Sequence, residues 1–397
     1  MVYSPTAVSN IKQVAMPSPE LVFIPAITQI DANHWDALFT DDYPFTRYGF
    51  LQALEEGTSL GKDTGWLVQH ACLYQDGQLI AAMPCYIKTH SYGEYLFDWA
   101  FAEAYQRHQL DYYPKLVCAI PFTPATGPRL GLAPGYQPVQ VMPWLEQGLL
   151  ALSESIGASG YQCLFCEPEL EEPLQRQNWQ RRVNVQFHWL NRGYSHMDDF
   201  LARFSSRKRK NLLKERARVQ SSGIRFTTLS GDALTPEIWQ QFYRFYRRTY
   251  QKRAGHNGYL TQKTLLLWGE YCRDQCVLFA AWQDQTMVAG ALCFRSHNTL
   301  YGRYWGCEQE LEFLHFEACY YQGIEYCIKH GLTRFDAGAQ GEHKLQRGFE
   351  PRLCYGYFKL FERGFNDAIA DYCRREEEQM HHYQAQCRQQ LPFKSGD

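Results

Sequence analysis

The sequence lacks any apolar run of about 18 residues, which excludes an obvious membrane-spanning helix. Residues 1–20 contain one lysine and no continuous apolar core, so they lack the pattern of a secretory signal. The formal net charge is only -2 at pH 7, which argues against a generally basic surface for nucleic acid. These absences predict a cytoplasmic protein whose anion-binding surface is local.

Paired CxxC motifs are also lacking, although the chain contains 14 cysteines. The single CxxC, formed by Cys163 and Cys166, lies in a strand-like run, where a separation of three residues should send the two thiols to opposite faces. The other cysteines stand singly in apolar segments, as small hydrophobic residues do. We therefore predict buried, reduced thiols and no metal site.

Two mixed α/β domains are predicted from the length and the order of elements. In each half, apolar periodicity predicts strands, a long helix, a strand, a short helix and a final strand. Asp76-Gly77 predicts a hairpin turn in the first half. The predicted boundaries give a flexible segment over residues 1–20, an N-terminal domain over 21–192 and a C-terminal domain over 193–397 that ends in a helix.

Residues 203–218 are locally basic, with eight Lys or Arg and only Glu215 as an acid. On a helix, cationic side chains at three- and four-residue steps form one stripe. This stripe is either a solvated helix face or a ridge that binds the phosphates of a small anion or a charged tRNA. The candidate phosphate-binding residues are Arg207, Lys208, Arg209 and Lys210.

The stretch DAGAQGEHKLQRGFEP, residues 336–351, places polar side chains where a strand should end. Open α/β folds bind ligands beyond the carboxyl ends of their strands. We interpret His343 as a proton acceptor that Glu342 or Glu317 orients. A phosphate or carboxylate would then contact Gln340, Lys344 and Arg347. The alternative is a helix-cap network in which Glu342, His343 and Arg347 satisfy one another.

Two further groups are candidates. His315 and Glu317 begin a helix two residues apart, about 200° around its axis, so only one of them should face a pocket. Asp98 is a candidate base, and Tyr112 and Lys115 are candidate acceptor contacts in otherwise apolar surroundings. The last three either line a cleft between the domains or pair with one another.

Several long motifs resemble a known family. These are YGEYLFDWAFAEAY, DYYPKLVCAIPFTPATGPRL, FLHFEACYYQGIEYCIKHGL and GAQGEHKLQRGFEP, which together are similar to the FemAB-like family of the GNAT acyltransferase superfamily. The resemblance implies tandem GNAT-like domains. It also implies an acyl- or aminoacyltransferase that acts on an amine, with a peptidoglycan precursor as the family's acceptor and acyl-coenzyme A or aminoacyl-tRNA as donor.

The resemblance also identifies a departure. GNAT enzymes carry an R/Q-x-x-G-x-G/A loop that holds the coenzyme A pyrophosphate, and the matching residues 303–308 have the sequence RYWGCE. Arg303 and Trp305 are candidate substrate contacts, but Glu308 puts a carboxylate where a small residue should admit phosphate. In the first half, Thr126, Gly127 and Arg129 form either an anion-binding loop or a proline-stiffened connection.

No GxSxG motif or Walker loop is present, in agreement with direct acyl transfer without a covalent nucleophile. A non-catalytic module that recognises a cell-wall or nucleotide-sugar ligand is the alternative, and RNA binding without chemistry ranks third. The sequence makes no prediction of oligomeric state.

Overall fold

The computed structural model describes residues 18–339 and 341–394. Most of the predicted flexible segment, residues 1–17, and the candidate Gln340 therefore lie outside the described residues. Within the described chain, no helix is both long and apolar enough to cross a membrane. Nor does any group of three or more His, Cys, Asp or Glu in that part of the chain have an arrangement that could hold a metal ion.

The strands of the described residues fall in both halves of the chain. They are β1 (Glu20–Ile24), β2 (Trp66–Val68), β3 (His70–Gln75), β4 (Gln78–Met83), β5 (Cys85–Lys88), β6 (Lys115–Cys118), β7 (Gly131–Leu132), β8 (Gly160–Cys166), β9 (Gln180–Leu190), β10 (Ile224–Ser230), β11 (Cys276–Gln283), β12 (Thr286–Arg295), β13 (Thr299–Cys307), β14 (Arg334–Asp336) and β15 (Glu350–Leu360).

The helices lie between these strands, except the last helix, which follows β15. They are α1 (Ala32–Leu38), α2 (Tyr48–Glu56), α3 (Trp99–Arg107), α4 (Pro138–Ile156), α5 (Glu171–Arg176), α6 (Met197–Ala202), α7 (Ser206–Ser221), α8 (Pro236–Ala254), α9 (Gln262–Tyr271), α10 (Leu314–Phe316), α11 (Gln322–His330) and α12 (Arg363–Gln389). A π-helical turn, Glu317–Tyr321, joins α10 to α11, and a 3-10 turn, Glu342–Arg347, precedes β15.

The two halves have equivalent connections. In the first half β6 is parallel to β8 across α4, and in the second half β13 is parallel to β14 across α10 and α11. The order of the large sheet is β10-β11-β12-β13-β14-β9-β15-β8-β6-β5-β2, and a four-stranded sheet has the order β1-β3-β4-β7. The predicted hairpin at Asp76-Gly77 joins β3 to β4, and both turn residues have positive φ.

The halves exchange their last strands, which the sequence does not predict. β9 of the first half lies between β14 and β15, and β15 of the second half lies between β8 and β9. The long antiparallel pairing of β9 with β15 runs from Glu350 opposite His188 to Phe358 opposite Gln180. The C-terminal helix α12 crosses this pair, and Glu376 binds Arg182 of β9 at 2.6 Å. The helix therefore braces both halves.

A shared aromatic core also joins the halves. Phe50 stacks on Trp268 with ring centroids 4.9 Å apart, and Tyr43 meets Tyr301 edge-on at 5.6 Å. Rings of this size bury large apolar areas. The two halves are therefore one packed body at this contact.

The expected geometry of the CxxC is wrong. β8 is bulged against β15, and Phe165 adopts a φ of 56°, so the extra residue returns Cys166 to the side of Cys163. The two sulfur atoms are 3.1 Å apart, and both thiols are buried.

Candidate active site

The site begins where the parallel strands β13 and β14 separate. They pair only from Thr299 opposite Arg334 to Tyr301 opposite Asp336. Just beyond, the register of β12 and β13 shifts so that Arg303 is an extra residue on β13. A bulge bends a strand and turns a side chain out of the regular alternation. The strands therefore diverge at the carboxyl end of β14, where α/β folds bind ligands.

A cavity of about 470 Å³ lies where the two strands separate. Its walls come from β13, the turn after β14, the π-helical turn and the first half of the chain. The lining residues are Tyr95, Phe122, Pro124, Tyr250, Arg253, Arg303, His315, Tyr320, Ala337, Gly338, Ala339, Gly341, His343 and Lys344.

An ion pair holds the base of the cavity. Arg303 donates to a carboxylate oxygen of the buried Asp336 at 2.8 Å, and the amide of Gly338 donates to the other oxygen at 2.9 Å. Burial alone would raise the pKa of Asp336, but Arg303 and nearby His188 outweigh it and hold that pKa below its usual range. Asp336 is therefore a fixed carboxylate that positions Arg303.

The turn after β14 presents two of the predicted polar side chains, His343 and Lys344, to the cavity. Gly341 has a φ of 113°, and a Cβ there would lie 2.4 Å from a ring carbon of His343. Only glycine allows the chain to turn this closely beneath the imidazole.

His343 and Tyr320 form a hydrogen-bonded pair, with 2.7 Å between the imidazole Nε2 and the phenol oxygen. Burial, reinforced by the cations Arg347 and Lys344, lowers the pKa of His343 to about 4. Burial, with Arg253 nearby, lowers the pKa of His315 to about 3. Both imidazoles are therefore neutral at neutral pH.

Lys344 is almost fully buried, and its ammonium nitrogen lies 2.5 Å from the carbonyl oxygen of Gly338. Burial lowers the pKa of this lysine from 10.5 to about 7, although Asp336 opposes the shift. A substantial fraction of Lys344 is therefore uncharged near neutral pH and able to accept a proton.

Aromatic rings form the opposite wall. Tyr95 and Phe122 belong to the first half and Tyr250 to α8, and the hydroxyls of Tyr95 and Tyr250 are 3.4 Å apart. The cavity therefore lies at the junction of the two halves and is lined by aromatic rings as well as by cationic and imidazole groups.

Three predicted residues of this region point elsewhere. The guanidinium of Arg347 binds the carboxylate of Glu215 on α7 at 2.8 Å and lies over the ring of Phe316. Glu342 accepts a hydrogen bond from Tyr383 of α12 at 2.6 Å. Glu317 binds Arg216 at 2.8 Å. Because each is already paired, neither acid orients the imidazole, and of His315 and Glu317 only His315 lines the cavity.

Of the residues matched to the pyrophosphate loop, 303–307 lie in strand β13 and only Glu308 lies between strand and helix. Trp305 packs on His315 outside the cavity, with ring centroids 5.5 Å apart. The actual connection to α10 contains three glutamates, paired with cations of α7 and α8. The pairs are Glu308 with Arg248, Glu310 with Lys252 and Glu312 with Arg218. Carboxylates therefore occupy the approach to this helix.

Asp98, Tyr112 and Lys115 lie in a buried polar network of the first half and do not line the cavity. Lys115 contacts Asp98 at 2.5 Å and Glu94 at 2.8 Å, and Tyr112 donates to Asp98 at 2.5 Å. Burial would raise the pKa of Asp98, but Lys115 lowers it to about 2. Asp98 is therefore an ion-pair partner rather than a base, and the alternative of mutual pairing is the correct one.

The first-half loop does not offer an anion-binding site. The amide of Gly127 donates to the carbonyl oxygen of Phe165 at 3.2 Å. The buried Arg129 donates to the carbonyl oxygens of Leu164 at 2.8 Å and Ala125 at 2.6 Å. Thr126 is half-buried beside them and does not line the cavity. Because the Gly127 amide and the Arg129 guanidinium already donate to carbonyl oxygens, this loop is the proline-stiffened connection, the second of the two alternatives that the sequence allows.

The basic segment forms α7, as predicted. Arg207 and Lys210 are exposed, whereas Lys208 and Arg209 are half-buried. Lys208 donates to Gln346, which belongs to the turn that carries His343 and Lys344. The start of the basic helix therefore lies beside the cavity turn.

Sequence reasoning missed the aromatic wall, Arg253 and Tyr320. Only Tyr320 had a local signal, because it follows His315 in the same predicted helix. Tyr95, Phe122 and Tyr250 reach the cavity through contacts between the halves. Such contacts leave no periodicity in a single sequence.

A family model named FemAB-like, with the description peptidoglycan biosynthesis/recognition, matches residues 26–395. No curated protein sequence matches the chain.

Two solved structures are similar in fold. A crystal structure of FemX superposes with a TM-score of 0.51 at 11% identity, covering 88% of this chain and all of that one. The C-terminal domain of a putative lysylphosphatidylglycerol synthetase from Agrobacterium fabrum gives 0.52 at 10% identity, covering 87% and 96%. The predicted fold class, mixed α/β with two GNAT-like units in tandem, is confirmed.

Proposed function

This chain belongs to the FemAB-like family, and on that premise we propose that it transfers an activated acyl or aminoacyl group onto an amine of a peptidoglycan precursor. One observation carries the proposal. Neutral imidazoles and a lysine with a pKa of about 7 line one wall of a cavity at the end of β14. Acyl transfer to an amine needs a proton acceptor and donors for an oxyanion in such a place.

Lys344 is the proposed base. The acceptor nitrogen bonds to the donor carbonyl carbon and its proton passes to Lys344. Collapse of the intermediate then breaks the donor C–O or C–S bond, and the leaving oxygen or sulfur takes that proton from Lys344. A base acts best when its pKa is near the working pH, which favours Lys344 over His343, the acceptor predicted from sequence. His343 instead positions Tyr320, whose hydroxyl donates to the oxyanion while the imidazole donates to the phenol oxygen.

The donor that fits best is aminoacyl-tRNA. The glutamates after β13 disfavour a pyrophosphate at the start of α10, as in coenzyme A. The exposed Arg207 and Lys210 of α7 lie on the helix whose Lys208 contacts the cavity turn. Phosphates along this helix would leave the acyl end free to enter the cavity.

The test is transfer of a labelled group from charged tRNA, and separately from acetyl-coenzyme A, to a soluble peptidoglycan precursor peptide with a free amine. Mass spectrometry detects the product. Lys344→Met should lower the rate by about 10²–10⁴-fold, the usual contribution of general base catalysis. Lys329→Met, which removes an exposed lysine of α11, is the control. Unchanged transfer by folded Lys344→Met contradicts the site.

The glutamates after β13 also favour a second candidate, a binding module without turnover. Precursor binding with no transfer from either donor would support this candidate.

A further inference from the structure

A run of aromatic rings extends from the segment after β5 to the first residue of α3. The side chains of Tyr92 and Trp99 are 56% and 43% exposed, unusually high for such large rings. Trp99 meets Tyr92 edge-on at 5.2 Å and stacks on Phe97 at 5.6 Å. We call Tyr92, Phe97 and Trp99 the aromatic strip.

The aromatic strip is continuous with the cavity. The ring of Phe97 lies 6.0 Å from that of Tyr95, which is part of the cavity wall. The hydroxyl of Tyr95 in turn contacts that of Tyr250 on the same wall. A ligand on the strip can therefore extend into the cavity along adjoining rings.

Hydrogen bonds from neighbouring side chains hold the backbone of the aromatic strip in place. The carbonyl oxygen of Tyr92 accepts from Lys88 at 3.2 Å and from the indole of Trp66 at 3.2 Å. The carbonyl oxygen of Phe97 accepts from Arg182 at 2.9 Å. A surface whose backbone is anchored at both ends loses little conformational entropy when a ligand binds.

The chemistry of the strip indicates an uncharged ring ligand. Proteins that stack nucleobases pair their rings with a cationic groove, whereas Lys88 and Lys115 beneath this strip are buried and bound to other groups. The C–H face of a sugar ring packs on an aromatic face through dispersion and apolar burial.

We propose that the aromatic strip binds the saccharide part of the acceptor, and that the amine-bearing part reaches the cavity past Tyr95. This inference rests on the proposed function, because it names the acceptor's glycan as the group outside the cavity. The family description, which names peptidoglycan, agrees with a glycan ligand.

The test is calorimetric titration of the full chain with chitotetraose, a soluble tetramer of β-1,4-linked N-acetylglucosamine. Trp99→Ala and Tyr92→Ala should each weaken binding by about tenfold, within the range seen when one stacking ring is removed. Trp99→Phe should retain most of the affinity because a flat ring remains. Trp144→Ala, at a tryptophan of α4 that is 38% exposed, should bind as the unmodified protein does.

Failure of this inference differs from failure of the proposed function, since no donor is present in the titration. Lys344→Met should bind chitotetraose normally while losing transfer. The inference is overturned if the tetrasaccharide does not bind. It is equally overturned if folded Trp99→Ala and Tyr92→Ala both bind normally, or if a mononucleotide displaces the tetrasaccharide from the strip.

Discussion

The two halves of the chain use equivalent strands in different ways. In the second half β13 and β14 diverge around an open cavity, with Arg303 held at its base by Asp336. In the first half the loop after β6 returns to β8, and Arg129 fills the equivalent space with hydrogen bonds to carbonyl oxygens. The same loop supplies Phe122 and Pro124 to the cavity of the second half. One unit therefore contains most of the candidate site, and the other supplies part of its wall.

The comparison also shows that a shifted pKa does not by itself make a lysine a candidate for function. Burial lowers the pKa of Lys88 in the first half and of Lys344 in the second half to about 7. Lys88 lies over the ring of Trp66 and donates to the backbone of Tyr92. Both lysines have this shifted pKa, but only Lys344 lines the cavity, so position distinguishes the candidate base from Lys88.

The largest effect is expected from replacing Arg129, the buried side chain that fills the space beside β8 in the first half. Arg129→Met removes the guanidinium donors from the carbonyl oxygens of Leu164 and Ala125, although Ala125 keeps its hydrogen bond from the hydroxyl of Tyr43. The free energy of unfolding should fall by about 2–4 kcal/mol, since a buried acceptor left without its donor costs about 1–3 kcal/mol and the substitution also disturbs packing. Urea unfolding measures the change. Arg107→Met, at an exposed arginine of α3, is the control, and a loss below about 1 kcal/mol for Arg129→Met would contradict the filling role.

The next effect is on the pH dependence of transfer. The neutral form of Lys344 is the base, so kcat/KM should rise as pH increases through about 7 and then level off. Between pH 6 and pH 8 the neutral fraction, and with it the rate, should grow about tenfold. In Lys344→Met, rates measured across this pH range should not show the rise. An identical rise in that variant would assign the titration to another group.

The smallest effect is expected at the loop after β13. Glu308 pairs with Arg248 at 2.7 Å, but both side chains are more than half exposed. Glu308→Gln should change the free energy of unfolding by less than about 0.5 kcal/mol, because water screens such pairs. Transfer should be unchanged too, since the loop lies outside the cavity. A large loss of transfer would extend the site to this loop.

The sequence predicts the elements of this fold better than their assembly. The helical spacing of the basic segment in α7, the turn at Asp76-Gly77 and the strand exit at Asp336 are local properties, and the structure has all of them. The exchange of β9 and β15 depends on contacts between distant segments. So does the pairing of Arg347 with Glu215, which helical spacing from His343 could not anticipate. The sequence also does not show that Asp98, Tyr112 and Lys115 pair with one another, so these polar residues in apolar surroundings resembled a functional site.

The most direct test is to place a tryptophan beside the paired parallel strands of each half and compare initial rates of transfer. Ala339→Trp places an indole in the cavity of the second half, whereas Thr126→Trp enlarges a half-buried residue of the first-half loop that is outside the cavity. With both variants shown to be folded, Ala339→Trp should lower transfer by at least about 10²-fold, because it displaces substrate from the base, and Thr126→Trp should leave it unchanged. Full activity of Ala339→Trp, or loss confined to Thr126→Trp, would contradict a working site in the second half.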